Sequence, residues 1–188
     1  MQDVTAPADF GKIIDRLRYQ AALFIGYTAR DSAAIRSLTV DVFRGDTAYF
    51  MVWRADWARR QGDPARTRAY ADSARMILER RIALDPEEAG TRMDLASTYA
   101  LLGRKTDALR EAARATEIVP VSRDAVDGPD LQEDYAFVEM LVGESDAAVR
   151  RLAYLLSIPS DVSVNVLRAD PTWDPLRGNT VFKRLIAS

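Results

Sequence analysis

Apolar residues recur at spacings of three and four along almost the entire chain, and this periodicity constrains the fold more than any other feature. Such spacing places the apolar side chains on one face of a helix. In one segment, for example, Leu95, Ala96, Tyr99 and Leu102 share a face. Alternating strand patterns are nearly absent, since the run 162–166 is short and lies between turn residues. The sequence therefore predicts an all-α fold.

Three glycines divide the helical pattern into regular units. Gly62, Gly103 and Gly143 each follow one helical segment and precede another, and they lie 41 and 40 residues apart. Glycine ends a helix at such a place because it adopts the left-handed conformation without steric strain. After Gly62, Asp63 supplies a capping side chain and Pro64 suits the first turn of the next helix. We therefore expect antiparallel helix pairs joined by short turns.

The second helix pair carries a distinctive pattern of small and aromatic residues. It reads Leu95-Ala96-x2-Tyr99-x3-Gly103-x4-Ala108-x3-Ala112-x2-Ala115-x4-Pro120, and Pro86 and Pro120 are 34 residues apart. Both the period and the pattern resemble the tetratricopeptide repeat, a unit of two antiparallel helices. The small Ala96 and Ala108 would let the paired helices approach closely, while Tyr99 would fill the space between them. The resemblance implies a right-handed solenoid.

The C-terminal end strengthens this resemblance. The stretch Asp170-Pro171-Thr172-Trp173-Asp174-Pro175-Leu176-Arg177 precedes a short amphipathic helix. It is similar to the C-terminal tetratricopeptide region of large bacterial signalling proteins, which are often fused to Ser/Thr kinase or cyclase-type domains. The resemblance covers roughly residues 46–188. It implies that Trp173 and Leu176 cover the exposed end of the last helix pair.

These patterns divide the chain into three predicted parts. We expect N-terminal capping helices over residues 1–45, three tetratricopeptide-like helix pairs over residues 46–159, and a C-terminal capping segment with a helix over residues 160–188. No kinase or cyclase motif is present, so the resemblance implies no catalytic activity.

The composition excludes many kinds of chemistry. The chain contains no Cys and no His, which removes thiolate ligands, cysteine nucleophiles and the commonest general base and metal ligand. Acidic residues cluster around Gly128, but the alternate positions before it hold Asp127, Ala125 and Arg123, which is not a calcium-loop pattern. A net charge of −2 does not favour nucleic-acid binding. We expect no enzyme activity, no metal and no cofactor.

The resemblance also implies where a partner would bind. In tetratricopeptide arrays, the first helices of successive pairs line a concave groove in which peptides usually dock. Met93, Phe137 and Met140 would form an adaptable apolar surface there if they are exposed, and the alternative is that they are buried against the neighbouring pair. The predicted protein-binding residues are Asp56, Arg59 and Arg60 in the first unit, Met93, Ser97 and Leu101 in the second, and Glu133, Phe137 and Met140 in the third.

The most direct interpretation is a protein-interaction module that binds a protein or peptide, as part of a bacterial signalling protein. Two other classes remain open: a self-assembling repeat protein that forms homo-oligomers, and a helical domain that binds carbohydrates or small molecules. No apolar run is long enough to predict direct membrane insertion. The N-terminus lacks a signal-peptide pattern, so a cytoplasmic location is expected for the chain as given, and a periplasmic one if a membrane anchor precedes it in a longer protein.

Overall fold

The computed structural model describes residues 38–187. The chain divides into two units, Met1–Asp46 and Thr47–Ser188. In the first unit, the described residues form a 3-10 turn over Val40–Phe43, and Arg44 follows it with a left-handed φ of 56°. Most of the predicted N-terminal capping region, residues 1–45, lies outside the described residues, and its helices stay a prediction.

The described part of the second unit is helical and contains no strand, so the all-α prediction is confirmed. The alternating run 162–166 does not extend, because a helix begins within it and Ser163 accepts a hydrogen bond from the Val166 N–H. A 3-10 segment, which we name the C-terminal strap, lies between the last two helices. The helices are α1 (Thr47–Arg60), α2 (Pro64–Leu84), α3 (Ala89–Leu101), α4 (Lys105–Ile118), α5 (Asp127–Leu141), α6 (Ser145–Leu155), α7 (Val164–Ala169), the strap (Pro171–Gly178) and α8 (Thr180–Leu185).

Local signals in the sequence explain where these helices end. Gly62, Gly103 and Gly143 have φ values of 70°, 74° and 84°, which are the left-handed terminators that their spacing predicts. Asp63 caps α2 by accepting a hydrogen bond from the Arg66 N–H at 2.9 Å, and Pro64 occupies the first turn.

The helices pack as consecutive pairs and also between pairs. Helix α1 packs on α2, α3 on α4, and α5 on α6. The second helix of each pair also packs on the first helix of the next, which joins α2 to α3 and α4 to α5. The first helices contact each other in turn, α1 with α3 and α3 with α5. These three helices therefore form one continuous layer.

The same burial pattern recurs around each of the three turn glycines. The residue seven positions before the glycine is an alanine with no exposed surface in every pair: Ala55, Ala96 and Ala136. The residues five, nine and twelve positions after it are also buried in every pair: Thr67, Ala71 and Ala74; Ala108, Ala112 and Ala115; and Ala148, Leu152 and Leu155. In the first two pairs these side chains are small, which allows the two backbones of a pair to approach closely, whereas the third pair has Leu152 and Leu155 at two of the positions.

Two apolar cores fill the unit. The first core joins α1 to α5 and includes Ala48, Leu78 and Ala108. The second core joins α5 and α6 to the C-terminal segment, where Trp173, Leu176 and Phe182 are at most 1% exposed. The end of the last pair is thus covered by the strap and α8.

Buried ion pairs connect the two helices of a pair. Arg151 of α6 donates Nε and Nη2 to the two carboxylate oxygens of Glu139 on α5, at 3.0 and 2.8 Å, and lies over the ring of Tyr135. In the preceding pair, Arg92 of α3 contacts Glu111 of α4 at 2.5 Å. The two-pronged contact between Arg151 and Glu139 fixes orientation as well as distance.

The longest described helix is α2, with 21 residues. Charged side chains, among them Asp72 and Glu79, interrupt its apolar face. Within residues 38–187, no helix combines the length and the apolar composition that a membrane span requires.

Candidate functional site

The nine residues predicted to bind a partner lie on α1, α3 and α5, which form the continuous layer described above. Equivalent positions in the three helices carry different side chains. Six residues before the turn glycine stand Asp56, Ser97 and Phe137, of which the first two are 5% and 7% exposed and the third is half-buried. The layer is therefore charged at one end and partly apolar at the other.

The middle of the layer is closed rather than exposed. Met93 is only 2% exposed and belongs to the first core, and Ser97 is also buried, while Leu101 is half-buried at the edge of this core. Helix α3 packs against α1 and α2 on one side and against α4 and α5 on the other, which leaves little of its surface open. Of the two alternatives that the sequence left open for Met93, the structure shows the buried one.

The α5 end of the layer is partly open. Met140 is 6% exposed and packs in the second core with Trp173 and Leu176, so it too is absent from the surface. Phe137 is half-buried and packs against the same core, and Glu133 is half-buried one turn earlier. Of the three residues predicted here, Glu133 and Phe137 retain access to solvent.

At the α1 end, the charged side chains bind each other. Asp56 accepts hydrogen bonds from Arg59 Nε at 2.9 Å and from Arg60 Nε at 2.6 Å. Arg60 Nη2 also donates to Thr172 Oγ1 in the C-terminal strap, at 3.3 Å. Pairing with two guanidinium groups compensates the desolvation of the buried Asp56 carboxylate. The Asp56 carboxylate is therefore already paired within the molecule.

Acidic side chains from three parts of the chain converge beside Glu133. The pKa of Glu133 is raised to about 8. Burial is the largest cause, and the negative charges of Asp134, Asp130, Asp170 and Asp161 contribute to the same increase. Neither Glu133 nor Asp134 forms an ion pair with a basic side chain in the part of the chain that the structure describes.

Asp134 lies on the same turn of α5 and is still open to solvent. The pKa of its carboxyl group is raised to about 7 because surrounding protein limits its hydration and Asp130 adds a negative charge. Glu133 and Asp134 thus place two acidic groups next to each other on α5.

The acidic loop before α5 serves the backbone rather than an ion. Asp124 Oδ1 accepts hydrogen bonds from the N–H groups of Val126 and Asp127 at 2.9 and 2.8 Å, and these bonds lower the pKa of Asp124. Among residues 38–187, no group of three or more acidic side chains is arranged to hold a metal ion. Asp124 thus satisfies backbone N–H groups at the start of α5.

Comparisons with known proteins identify no family. No family model matches the chain, and no curated protein or solved structure is found that matches it. The resemblance to tetratricopeptide repeats stays a prediction from the sequence.

The structure adds residues to the site that the sequence did not indicate. Asp161, Asp170 and Thr172 belong to the C-terminal segment, yet they act on Glu133 or contact Arg60. Asp170 accepts a hydrogen bond from the Thr172 N–H at 2.8 Å and so caps the strap. The Asp-Pro dipeptide at positions 170–171 signals this cap, but nothing in the sequence signals its distance from α1 or α5.

Proposed function

We propose that this chain is a non-enzymatic protein-interaction module, built as a right-handed solenoid of three tetratricopeptide-like helix pairs. The recurrent burial pattern around Gly62, Gly103 and Gly143 supports this architecture, because one packing rule repeats in each pair. The serial contacts of α1, α3 and α5 also support it, since first helices that line up in this way form the binding face of such arrays.

The proposed binding surface is the α5 face, which we define by Asp130, Glu133, Asp134 and Phe137. The observation that carries the proposal is the pair of acidic groups, Glu133 and Asp134, beside a half-buried aromatic ring and without a basic partner in the described residues. Their raised pKa values leave Glu133 largely and Asp134 partly protonated near pH 7. An approaching cation favours the ionised form of a carboxyl group, so a basic partner should bind more strongly as the pH rises. The proposed partner is a peptide with a basic residue and a large apolar residue.

Two side chains should contribute differently to this binding. Phe137 offers apolar area, and its loss should weaken binding by about tenfold, given about 1.4 kcal/mol for half of a large side chain. Glu133 is half-buried, and it forms an ion pair with a basic residue only after its carboxyl group has lost its proton. We expect this pair to contribute about 0–1 kcal/mol and to be weakened by salt. Acidic C-terminal peptides should be repelled from the same surface.

The test is fluorescence anisotropy with labelled basic–apolar and acidic peptides at low and high salt. Phe137→Ala and Glu133→Lys should both weaken binding of the basic–apolar peptide. Glu117→Lys is the matched control, because it makes the same charge change on an exposed position of α4. Stronger binding of the acidic peptides, or wild-type affinity in both α5 variants, would refute the proposed surface.

A further inference from the structure

One hydrogen bond connects distant parts of the second unit. Arg60 in the last turn of α1 donates Nη2 to Thr172 Oγ1 in the strap at 3.3 Å, across 112 residues of sequence. Helix α1 belongs to the first pair, whereas the strap packs against α5 of the last pair. The contact therefore joins the first pair to the segment that covers the last pair.

Both ends of this contact are held in place. Arg60 Nε binds the buried Asp56 carboxylate at 2.6 Å, which fixes the guanidinium at the end of α1. Thr172 is fixed by the Asp170 cap on its N–H and by Trp173, which is 1% exposed in the second core. Neither partner has to be ordered when the bond forms, so little conformational entropy opposes it.

The contact is significant because of how stacked helix pairs behave. In such an array each pair contacts only its neighbours, and the distance between the first and last pairs follows from small rotations at each interface. That distance is easily changed unless a contact joins the ends directly.

We propose that Arg60 and Thr172 form a clasp that fixes the opening between the first and last helix pairs. Breaking the clasp widens this opening, while each pair keeps its own core. The clasp itself does not depend on the proposed function. One consequence of the clasp does rest on the proposed function: an opened clasp gives a peptide more access to the layer of α1, α3 and α5.

The experiment measures the width of the opening in solution. The chain has no native cysteine, so Gln61→Cys and Gly178→Cys introduce two unique sites for spin labels. Gln61 is exposed just after α1, and Gly178 at the end of the strap has no neighbouring atom within 4 Å of an added Cβ. Electron paramagnetic resonance then gives the distribution of distances between the labels.

Thr172→Val removes the acceptor with little change of shape, and Arg60→Gln removes the donor. Both should lengthen and broaden the distance distribution. Thr172→Val should melt within about 4 °C of the parent protein, whereas Arg60→Gln should melt lower because it also removes one of the two ion pairs of the buried Asp56. Arg59→Gln is the matched control, since it removes the other guanidinium bound to Asp56 and leaves the bond to Thr172.

An unchanged distribution in Thr172→Val overturns the clasp, whatever Arg60→Gln does. Equal broadening in Arg59→Gln also overturns it, because the ion pairs of Asp56, rather than the bond to Thr172, would then control the distance. Peptide anisotropy on the same variants is judged separately. If no variant binds peptide but the distances widen as expected, the proposed function fails and the clasp stands.

Discussion

At the residue scale, the carboxyl groups on α5 make the protein sensitive to pH. Burial and neighbouring acids raise the pKa of Glu133 from 4.5 to about 8, and that of Asp134 from 3.8 to about 7. In the unfolded chain both groups lose their protons at lower pH than in the folded chain. The folded state therefore binds more protons between these values, and its free energy of unfolding falls as pH rises through them.

This linkage gives a prediction for Glu133→Gln. Urea denaturation of the parent protein should show stability that decreases from about pH 5 to about pH 8, and the variant should show a smaller decrease, because Gln cannot ionise. Asp174→Asn, an exposed acid on the strap, is the control and should keep the parent slope. A parent protein whose stability rises over this range would contradict the arrangement of charges around Glu133.

Gly128 occupies a position that has no space for a side chain. It lies in the first turn of α5, and an added Cβ would come within 2.7 Å of Val121 Cα and 2.9 Å of Val121 N. Backbone cannot yield as a flexible side chain can, so Gly128→Ala should destabilise the fold by about 1–3 kcal/mol despite the better helix propensity of alanine. Thermal or urea denaturation measures this loss.

The matched control is Gly178→Ala in the strap, where an added Cβ meets no atom within 4 Å. It should leave stability nearly unchanged. If Gly128→Ala were as stable as the control, the approach of the loop at Val121 to α5 would be looser than described.

At the scale of helices, the alanines of the repeated burial pattern set the distance between paired helices. Ala108 of α4 has no exposed surface and lies in the first core. A larger side chain there has no space without separating α4 from α3. Overpacking of this kind usually costs about 1–3 kcal/mol.

Ala108→Leu should therefore lower the melting temperature, as measured by circular dichroism. Ala69→Leu makes the same change on an exposed position of α2 and should have little effect. Equal melting temperatures for the two variants would mean that the pairs do not pack through these alanines.

The places where helices begin and end could largely be predicted from the sequence, because their causes are local. Gly62, Gly103 and Gly143 end helices through their own conformational freedom, and Asp63 caps α2 through a bond three residues away. The exposure of Met93 could not be predicted in the same way. It depends on how closely α3 packs against helices on both sides, which periodicity alone does not give.

At the scale of the whole second unit, contacts between distant residues decide which surface is open. Met140 is covered by Trp173 and Leu176, and Arg60 contacts Thr172 across 112 residues. No spacing rule relates such positions, so the sequence indicated the candidate helices but not which of their residues reach solvent. The accessible part of the site is the α5 face.

Chemical-shift mapping by NMR tests most directly whether a partner binds this α5 face. Titration with a basic–apolar peptide should shift the backbone resonances of Glu133, Asp134 and Phe137 and leave those of the outer positions of α4 and α6 unchanged. The Phe137→Ala variant should lose these shifts. Shifts confined to α4 and α6, or none at peptide saturation, would contradict the account.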